Sequence, residues 1–294
     1  MALSPRVWFI TGASTGFGRA LLELVLTKGE SAIATIRNPT SLAPLTTHYP
    51  PSQLLPLQLD VTHGPEAIRA AFAQAHDAFG RVDVVFNNAG YGILGEVEGT
   101  PEENARKMFD TNFWGAVNVS REAVRVFRDV NPKGVGGRLV VTSSMSALNP
   151  MPVCGFYSAS KAAIDSVTQI LATELDPEWN IKVRFLCAMI TMFEAGSFET
   201  NGRSNSDILP QHPAYAKPTL ISSVIRESMK NPPGRRGNPQ KAAERLYELA
   251  GLEDPPMRLV LGSDAIRRTR QQSAAVAVEV DKFEAWSDGL GFDA

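Results

Sequence analysis

The chain has 294 residues, of which 44% are hydrophobic and 20% charged, and its formal net charge is −2. That length and apolar share suit one large globular domain spanning 1–294. The near-neutral charge gives no electrostatic reason to expect nucleic acid or an acidic membrane surface as partner.

The two cysteines, Cys154 and Cys187, exclude a disulfide framework and fit a reducing, cytoplasmic compartment. Both are read as buried, unreactive thiols. The apolar run Val7–Ile10 is too short for a signal peptide, and Phe185–Phe193 is about half a membrane span, so no spanning segment is expected.

Arg6–Thr11 is rich in β-branched and aromatic residues and stops at Gly12, as a buried strand would. Thr11-Gly12-Ala13-Ser14-Thr15-Gly16-Phe17-Gly18 follows, and Arg19–Leu26 then carries a strong helical pattern. Glycines between a strand and a helix allow a tight turn and close backbone approach, and the helix N-terminus offers N–H groups to a pyrophosphate. The alternative is a turn whose glycines serve packing alone. The second strand, Ser31–Ile36, ends at Arg37, where an NAD site would carry an acidic residue for the ribose hydroxyl. The guanidinium fork of Arg37 suits a 2′-phosphate, which favours NADP(H) over NAD(H), unless Arg37 is simply a solvated surface arginine.

Residues 39–53 are rich in Pro, Ser and Thr and read as loop with little helix. A third strand, Leu54–Leu59, closes at Asp60; a helix, Pro65–Phe79, leads to a fourth strand, Val82–Phe86, which ends in Asn87-Asn88-Ala89-Gly90. Regular alternation of strand and helix predicts an α/β fold: a doubly wound parallel sheet with helices on both faces. Ligands of such sheets bind beyond the carboxyl ends of the strands, where Gly12, Arg37, Asp60 and Asn88 all fall.

A long helical region, Glu102–Val130, holds Asn112 in its middle, where asparagine needs a local reason such as a buried hydrogen bond or a bound water. A fifth strand, Arg138–Thr142, runs into Ser143-Ser144-Met145-Ser146. The next helix, ending near Leu175, places Tyr157 and Lys161 four residues apart on one face. An ammonium beside a phenol favours the phenolate, so the pair can act as acid and base near neutral pH. The competing reading is a surface helix with a half-buried tyrosine. A sixth strand begins at Ile181 and runs to about Phe185.

Thr11-Gly12-x-x-x-Gly16-x-Gly18, Asn87-Asn88-Ala89-Gly90, Asn112, Ser144 and Tyr157-x-x-x-Lys161, in this order and at these spacings, resemble the short-chain dehydrogenase/reductases. The resemblance implies one Rossmann-type domain with a seven-stranded parallel sheet, a nicotinamide cofactor, and hydride transfer between an alcohol and a carbonyl of a small molecule. It implies Tyr157 as the acid or base, Lys161 as its partner and as the holder of the nicotinamide ribose. Ser144 would bond the substrate oxygen, and Asn112 would keep a water behind Lys161. Within the serine cluster, Ser144 is preferred over Ser143 and Ser146 on spacing alone. Gly12, Ser14, Phe17, Arg37, Asp60 and Asn88 would line the cofactor, with Asp60 near the adenine. Dimers or tetramers through the two long helices are a further family expectation.

One departure stands out. Pro-Gly, followed by a threonine, is expected directly after the sixth strand, but Leu186–Met192 comes first. Phe193-Glu194-Ala195-Gly196-Ser197-Phe198-Glu199-Thr200 then resembles the expected loop, with Thr200 as its cofactor-binding threonine. Either the strand is lengthened and the loop displaced, or Leu186-Cys187 finish the strand and Ala188-Met189 replace Pro-Gly.

Residues 201–238 have the composition of a mobile substrate lid, with a helix near Leu220–Met229, and His212 reads as a solvated loop residue. A helix, Pro239–Ala250, and a strand, Arg258–Leu261, complete the sheet; the stretch from Arg258 to Ala265 resembles the corresponding end of many fungal-type NADP-dependent members. A last amphipathic helix, about Ala265–Trp286 within a C-terminal extension of about 265–294, carries Arg267, Arg268 and Arg270 on what reads as a solvated face. The sequence therefore predicts an NADP(H)-dependent oxidoreductase acting on a small, apolar carbonyl or alcohol, with reduction favoured and no metal. The alternative is a cofactor-binding relative without turnover.

Overall fold

The computed structural model describes residues 5–188, 207–230 and 237–291. In chain order the elements are β1 (Val7–Thr11), α1 (Gly16–Thr27), β2 (Ser31–Ile36), α2 (Ala43–His48), β3 (Leu54–Gln58), α3 (Pro65–Phe79) and β4 (Val84–Asn87). Next come β5 (Ile93–Leu94), α4 (Glu102–Phe109), α5 (Ala116–Arg125), β6 (Gly137–Thr142), α6 (Gly155–Glu174) and β7 (Ile181–Ala188). The chain continues through β8 (Asp207–Ile208), α7 (Ile221–Lys230), α8 (Pro239–Leu249), β9 (Arg258–Leu261) and α9 (Ser263–Phe283).

Seven strands form one sheet in the order β3-β2-β1-β4-β6-β7-β9, and every pairing is parallel. The order reverses between β1 and β4, which is where a doubly wound sheet opens a crevice. Alternation along the strands sorts the core. Val7, Phe9, Ile33, Val85, Leu139, Val141 and Val183 point to one face, into a cluster with Phe72 of α3, Val119 of α5 and Ile164 of α6. Trp8, Ile10, Ala32, Ala34, Val84, Phe86 and Val140 point to the other, against Leu21 and Val25 of α1 and Leu246 of α8. The three-layer α/β architecture is thus the one that the strand–helix alternation predicts.

Local differences from the sequence reading have local causes. Residues 39–53 are more ordered than a loop: Pro39–Leu42 is a 3₁₀ turn capped by the Asn38 carboxamide, which accepts from Thr40 N at 3.1 Å, and α2 follows directly. Fully buried Leu42, with Leu45 and Tyr49 against the same cluster, anchors it beside α1. Between α4 and α5 the helix widens to π geometry over Asp110–Gly115, and again over Val126–Val130 after α5. Such a turn accommodates an extra residue and re-aims its side chains; the first contains Asn112.

The strand begun at Ile181 continues past Phe185 to Ala188, because β9 pairs with it from Phe185↔Arg258 to Ala188↔Leu261. Leu186 and Cys187 are therefore strand, as both readings of that stretch require. The Phe193–Thr200 loop, Thr200 included, lies outside the described residues, as does part of the segment expected to be a lid. The described part, 207–230, is tied to the body by β8, which pairs in parallel with β5 as a ribbon that the sequence did not announce. Among the described residues no helix is long and apolar enough to cross a membrane.

One close approach of backbone to backbone lies at the crevice. A Cβ built on Gly18 would collide with the Gly12 carbonyl oxygen and sit 2.8 Å from Asn88 Nδ2. Gly18→Ala should therefore lower unfolding stability by about 1–3 kcal/mol in a urea titration, the usual cost of forcing an extra carbon into a packed site; an unchanged midpoint would show that α1 can shift without loss.

Candidate active site

The crevice is built from backbone first. Thr11, at the end of β1, accepts the N–H groups of Asn88 and Ala89 on its hydroxyl at 2.8 and 2.9 Å. The Asn88 amide donates to the Thr11 and Gly12 carbonyls at 3.1 and 3.4 Å, and its carbonyl accepts the Thr142 hydroxyl at 3.2 Å. Asn88 thus joins the ends of β1, β4 and β6 rather than offering its amide to the crevice. Gly12 turns the chain with φ +64° and Gly16 with φ +59°, the left-handed region that glycine enters at no steric cost. Thr15, the N-cap of α1, places no side-chain cap on the helix, whose first turn faces the crevice with N–H groups suited to an anion. Ser14 is half-buried in the same turn, while Phe17 sends its ring into the core at 3% exposure and can meet a ligand only through its backbone.

Arg37 is exposed at the end of β2. Asp60 lies near it at the end of β3, with its carboxylate accepting the Thr62 N–H at 2.9 Å and the Thr62 hydroxyl at 2.7 Å. Burial acts to raise the Asp60 carboxyl, but the two Thr62 bonds, with His63 and Arg37 nearby, hold it below the usual carboxylate range. The ends of β2 and β3 thus present an exposed cation beside a carboxylate held by Thr62.

The catalytic candidates converge beyond β4 and β6. α6 buries Tyr157 at 5% exposure and Lys161 at 2%. Lys161 Nζ donates to the Thr142 carbonyl at 2.9 Å. Burial pushes its pKa down to about 8, against the pull of the Asp165 carboxylate one turn further along the helix. Asn112 is buried in the π turn; its carbonyl accepts Tyr91 N at 3.0 Å, and its amide donates to Tyr91 O at 2.8 Å and to the Ser160 hydroxyl at 3.2 Å. A buried hydrogen-bond set is thus the local reason that this mid-helix asparagine demanded. A Cβ on Gly90 would lie 3.0 Å from Asn112 Oδ1 and 3.4 Å from Lys161 Nζ, so that glycine is what lets the two approach the same spot.

Ser144 follows β6 and caps a 3₁₀ turn: its hydroxyl accepts Ser146 N at 3.2 Å and lies 2.6 Å from Ser146 Oγ. Ser143 is fully buried and faces Asp165. Around Tyr157 pack Ile93, Met108, Tyr91, Phe156 and Leu209, an apolar wall. The structure therefore brings Asn112, Ser144, Tyr157 and Lys161 to one end of the sheet, with Gly12 and Asn88 beside them.

Three residues here carried no sequence signal. Glu96 and Arg226 form a bidentate pair at 2.8 and 2.7 Å, with Glu96 only 4% exposed, and Arg226 also donates to Leu209 O at 2.9 Å. Partners 130 residues apart leave no local pattern. His212, read as solvated, is half-buried, and its backbone N–H donates to Glu96 Oε2 at 3.3 Å. Asp165 is the third: it lies one helical turn past Lys161, the one spacing that could have flagged it. Cys154 is buried as expected, and burial pushes its thiol up to about 12, where it is inert.

Residues 6–201 match the family model for short chain dehydrogenase. The chain belongs to the short-chain dehydrogenase family. It is 37% identical over 97% of its length to the uncharacterized oxidoreductase C162.03 of Schizosaccharomyces pombe, covering 91% of that protein. It is 34% identical over 97% to the oxidoreductase calM of Penicillium decumbens, covering 92% of it. Among solved structures, a short-chain dehydrogenase of Streptomyces avermitilis superposes with a TM-score of 0.85 at 32% identity, over 99% of this chain and all of that one. This short-chain dehydrogenase is accordingly an oxidoreductase of a family that uses a nicotinamide cofactor, and the glycine turn, uncapped α1 and buried Lys161 fit such a group.

Asp165 gives this dehydrogenase a pH signature. Burial pushes its carboxyl from 3.8 up to about 6, against the opposing pull of Ser143, Arg258 and Lys161. A carboxyl that holds its proton more tightly when folded stabilises most below its ordinary pKa and loses that contribution as pH rises to its folded value. Relative to Asp165→Asn, which stays neutral, the wild type should lose unfolding free energy from about pH 4 to about pH 6 and then hold level. A difference that does not vary across that window would show the carboxyl ionised throughout.

Proposed function

We propose that this short-chain dehydrogenase is an NADP(H)-dependent ketoreductase that converts a carbonyl of a small, apolar molecule to a secondary alcohol in the cytoplasm. The observation that carries the reading is the burial of Lys161 beside Tyr157, at the end of the sheet where Ser144 and Asn112 also converge. A buried ammonium is costly even beside a carboxylate, and its retention next to a buried phenol is explained by proton transfer.

Bound NADPH would supply the hydride to the carbonyl carbon. Ser144 donates a hydrogen bond to the carbonyl oxygen and stabilises the charge that develops there. Tyr157 transfers its phenolic proton to that oxygen, and the Lys161 ammonium stabilises the phenolate left behind. Asn112 holds the Tyr91 backbone and Ser160 in place behind Lys161. The wall of Ile93, Met108, Phe156 and Leu209 excludes water and favours an apolar substrate. Thr200, in the residues outside those described, completes the proposed cofactor set.

Arg37 supports NADP(H), since an exposed guanidinium at the end of β2 suits a 2′-phosphate and no acidic side chain precedes it in Thr35-Ile36. Fold neighbours carry either form: one from Burkholderia cenocepacia was solved with NADP and one from Brucella melitensis with NADH. Reduction is supported by a relative from Bacteroides thetaiotaomicron, 31% identical over 88% of this chain and 89% of its own length, that is named 3-ketodihydrosphingosine reductase.

Two measurements test the reading. Tyr157→Phe should cut NADPH oxidation with a panel of apolar ketones by a factor on the order of 10²–10⁴, while NADPH fluorescence titration stays near wild type; a wild-type rate would remove Tyr157 from the acid's role. NADPH binding by the wild type with no turnover on any ketone would favour a cofactor-binding role instead. Arg37→Asp should lower the NADPH over NADH preference in kcat/KM by at least about tenfold, the scale of one charge-assisted contact; an unchanged ratio would mean that Arg37 does not read the phosphate.

A further inference from the structure

α6 buries a third titratable side chain, one that the proposed reaction leaves unused. Tyr157, Lys161 and Asp165 follow one another at four-residue spacing along the inner face of the helix, and all three are buried. The chain leaving β6 runs along that face. Of its three successive residues, Thr142 gives its carbonyl to Lys161 Nζ at 2.9 Å, Ser143 faces Asp165, and Ser144 carries the hydroxyl that the reaction uses. From β9, Arg258 brings Nη2 to 3.7 Å from Asp165 Oδ2, close enough for an ion pair but too far for a hydrogen bond.

A tie between α6 and β9 would by itself account for a carboxylate paired with Arg258. The surroundings of Lys161 ask for more. The polar groups that other elements bring to its Nζ are neutral: the Thr142 carbonyl from β6 and, across Gly90, the Asn112 carboxamide from the π turn. Among the described residues, Asp165 is the carboxylate whose charge favours the ammonium. In a buried setting one opposite charge nearby decides which form such a group takes, and removing it leaves the other charge uncompensated.

We propose that Asp165 is a positioning residue for the reduction: its carboxylate, steadied by Arg258, keeps Lys161 an ammonium, so that Tyr157 can give up its proton. This rests on the ketoreductase reading, in which Lys161 stabilises the phenolate. Asp165 acts through Lys161 and takes no part in the transfer itself. Without the carboxylate, Lys161 gives up its proton more readily, so the neutral amine forms at lower pH and the rate falls earlier as pH rises.

The pH profile of kcat/KM for NADPH oxidation, with the ketone that the wild type reduces fastest, tests it. In Asp165→Asn the alkaline limb should move to lower pH by about one unit or more, the scale of one opposite charge nearby. Asp165→Ser, neutral and smaller, should move it the same way, and Asp165→Glu should return it toward the wild-type position. A tie between α6 and β9 alone would lower the rate by the same factor at every pH, so an unmoved limb would overturn the proposal. A urea double-mutant cycle without cofactor reads the pair directly. Lys161→Met and Asp165→Asn should be coupled by at least about fivefold in the folded-to-unfolded ratio at pH 7. The coupling should shrink at pH 5, where the carboxyl, pushed up to about 6 by burial, is protonated. No coupling at pH 7 would overturn the proposal whatever the rates. Coupling in a wild type that turns over no ketone would instead sink the reductase reading and leave the Lys161–Asp165 pair standing.

Discussion

The structure depends on how β1 meets β4. In a doubly wound sheet these strands part company at their carboxyl ends, because the chain leaves them toward opposite faces. The backbone there would be left with unpaired groups at the spot where a ligand must enter. Here a single threonine hydroxyl takes two N–H groups, and the Asn88 amide takes the carbonyls that remain. Buried polar groups satisfied in this way fix the shape of the crevice. Gly12 and Gly18 follow from the same constraint, since the carbonyl of one lies where a Cβ of the other would sit. The glycine pattern is therefore a packing requirement in its own right.

From that join the catalytic end is reached through β6. Thr142 donates its hydroxyl to Asn88 and lends its carbonyl to Lys161, so the crevice and the ammonium share one residue. An ammonium this deeply buried is under pressure to lose its proton, which is why its pKa falls to about 8. Asp165 resists that fall, yet burial raises its own pKa to about 6. Burial thus works against the charged form of both groups, while each charge favours the other's.

Much of this was legible because it is local. Strand–helix alternation, the glycine turn and the Tyr157–Lys161 spacing are short-range patterns, and each gave its element within a few residues. The exceptions are long-range. Residues 39–53 read as loop because Pro, Ser and Thr break periodicity, yet the Asn38 cap and the burial of Leu42 order them. Phe17 enters the cofactor set through the family resemblance alone, and the packing of its ring in the core beneath is a contact that no local pattern announces. β7 outruns the strand pattern because β9, over seventy residues later in the chain, pairs with its last four residues. Nothing in a local window announces a partner at that distance.

Glu96 and Arg226 are the extreme case, and they bear on the substrate side of the site. Burying two charges costs several kcal/mol each, and the attraction between them returns that only when geometry and remaining hydrogen bonds are satisfied. Here both conditions are met: the guanidinium is bidentate on the carboxylate and spends its third nitrogen on Leu209 O, while the carboxylate also accepts His212 N. An apolar contact of the same volume would hold the segment as tightly but could slide. The ion pair fixes one register, and Leu209, held by it, is the residue that closes the apolar wall over Tyr157. The segment that carries Leu209 is therefore positioned by charge and packs through hydrocarbon against the cluster that holds Tyr157.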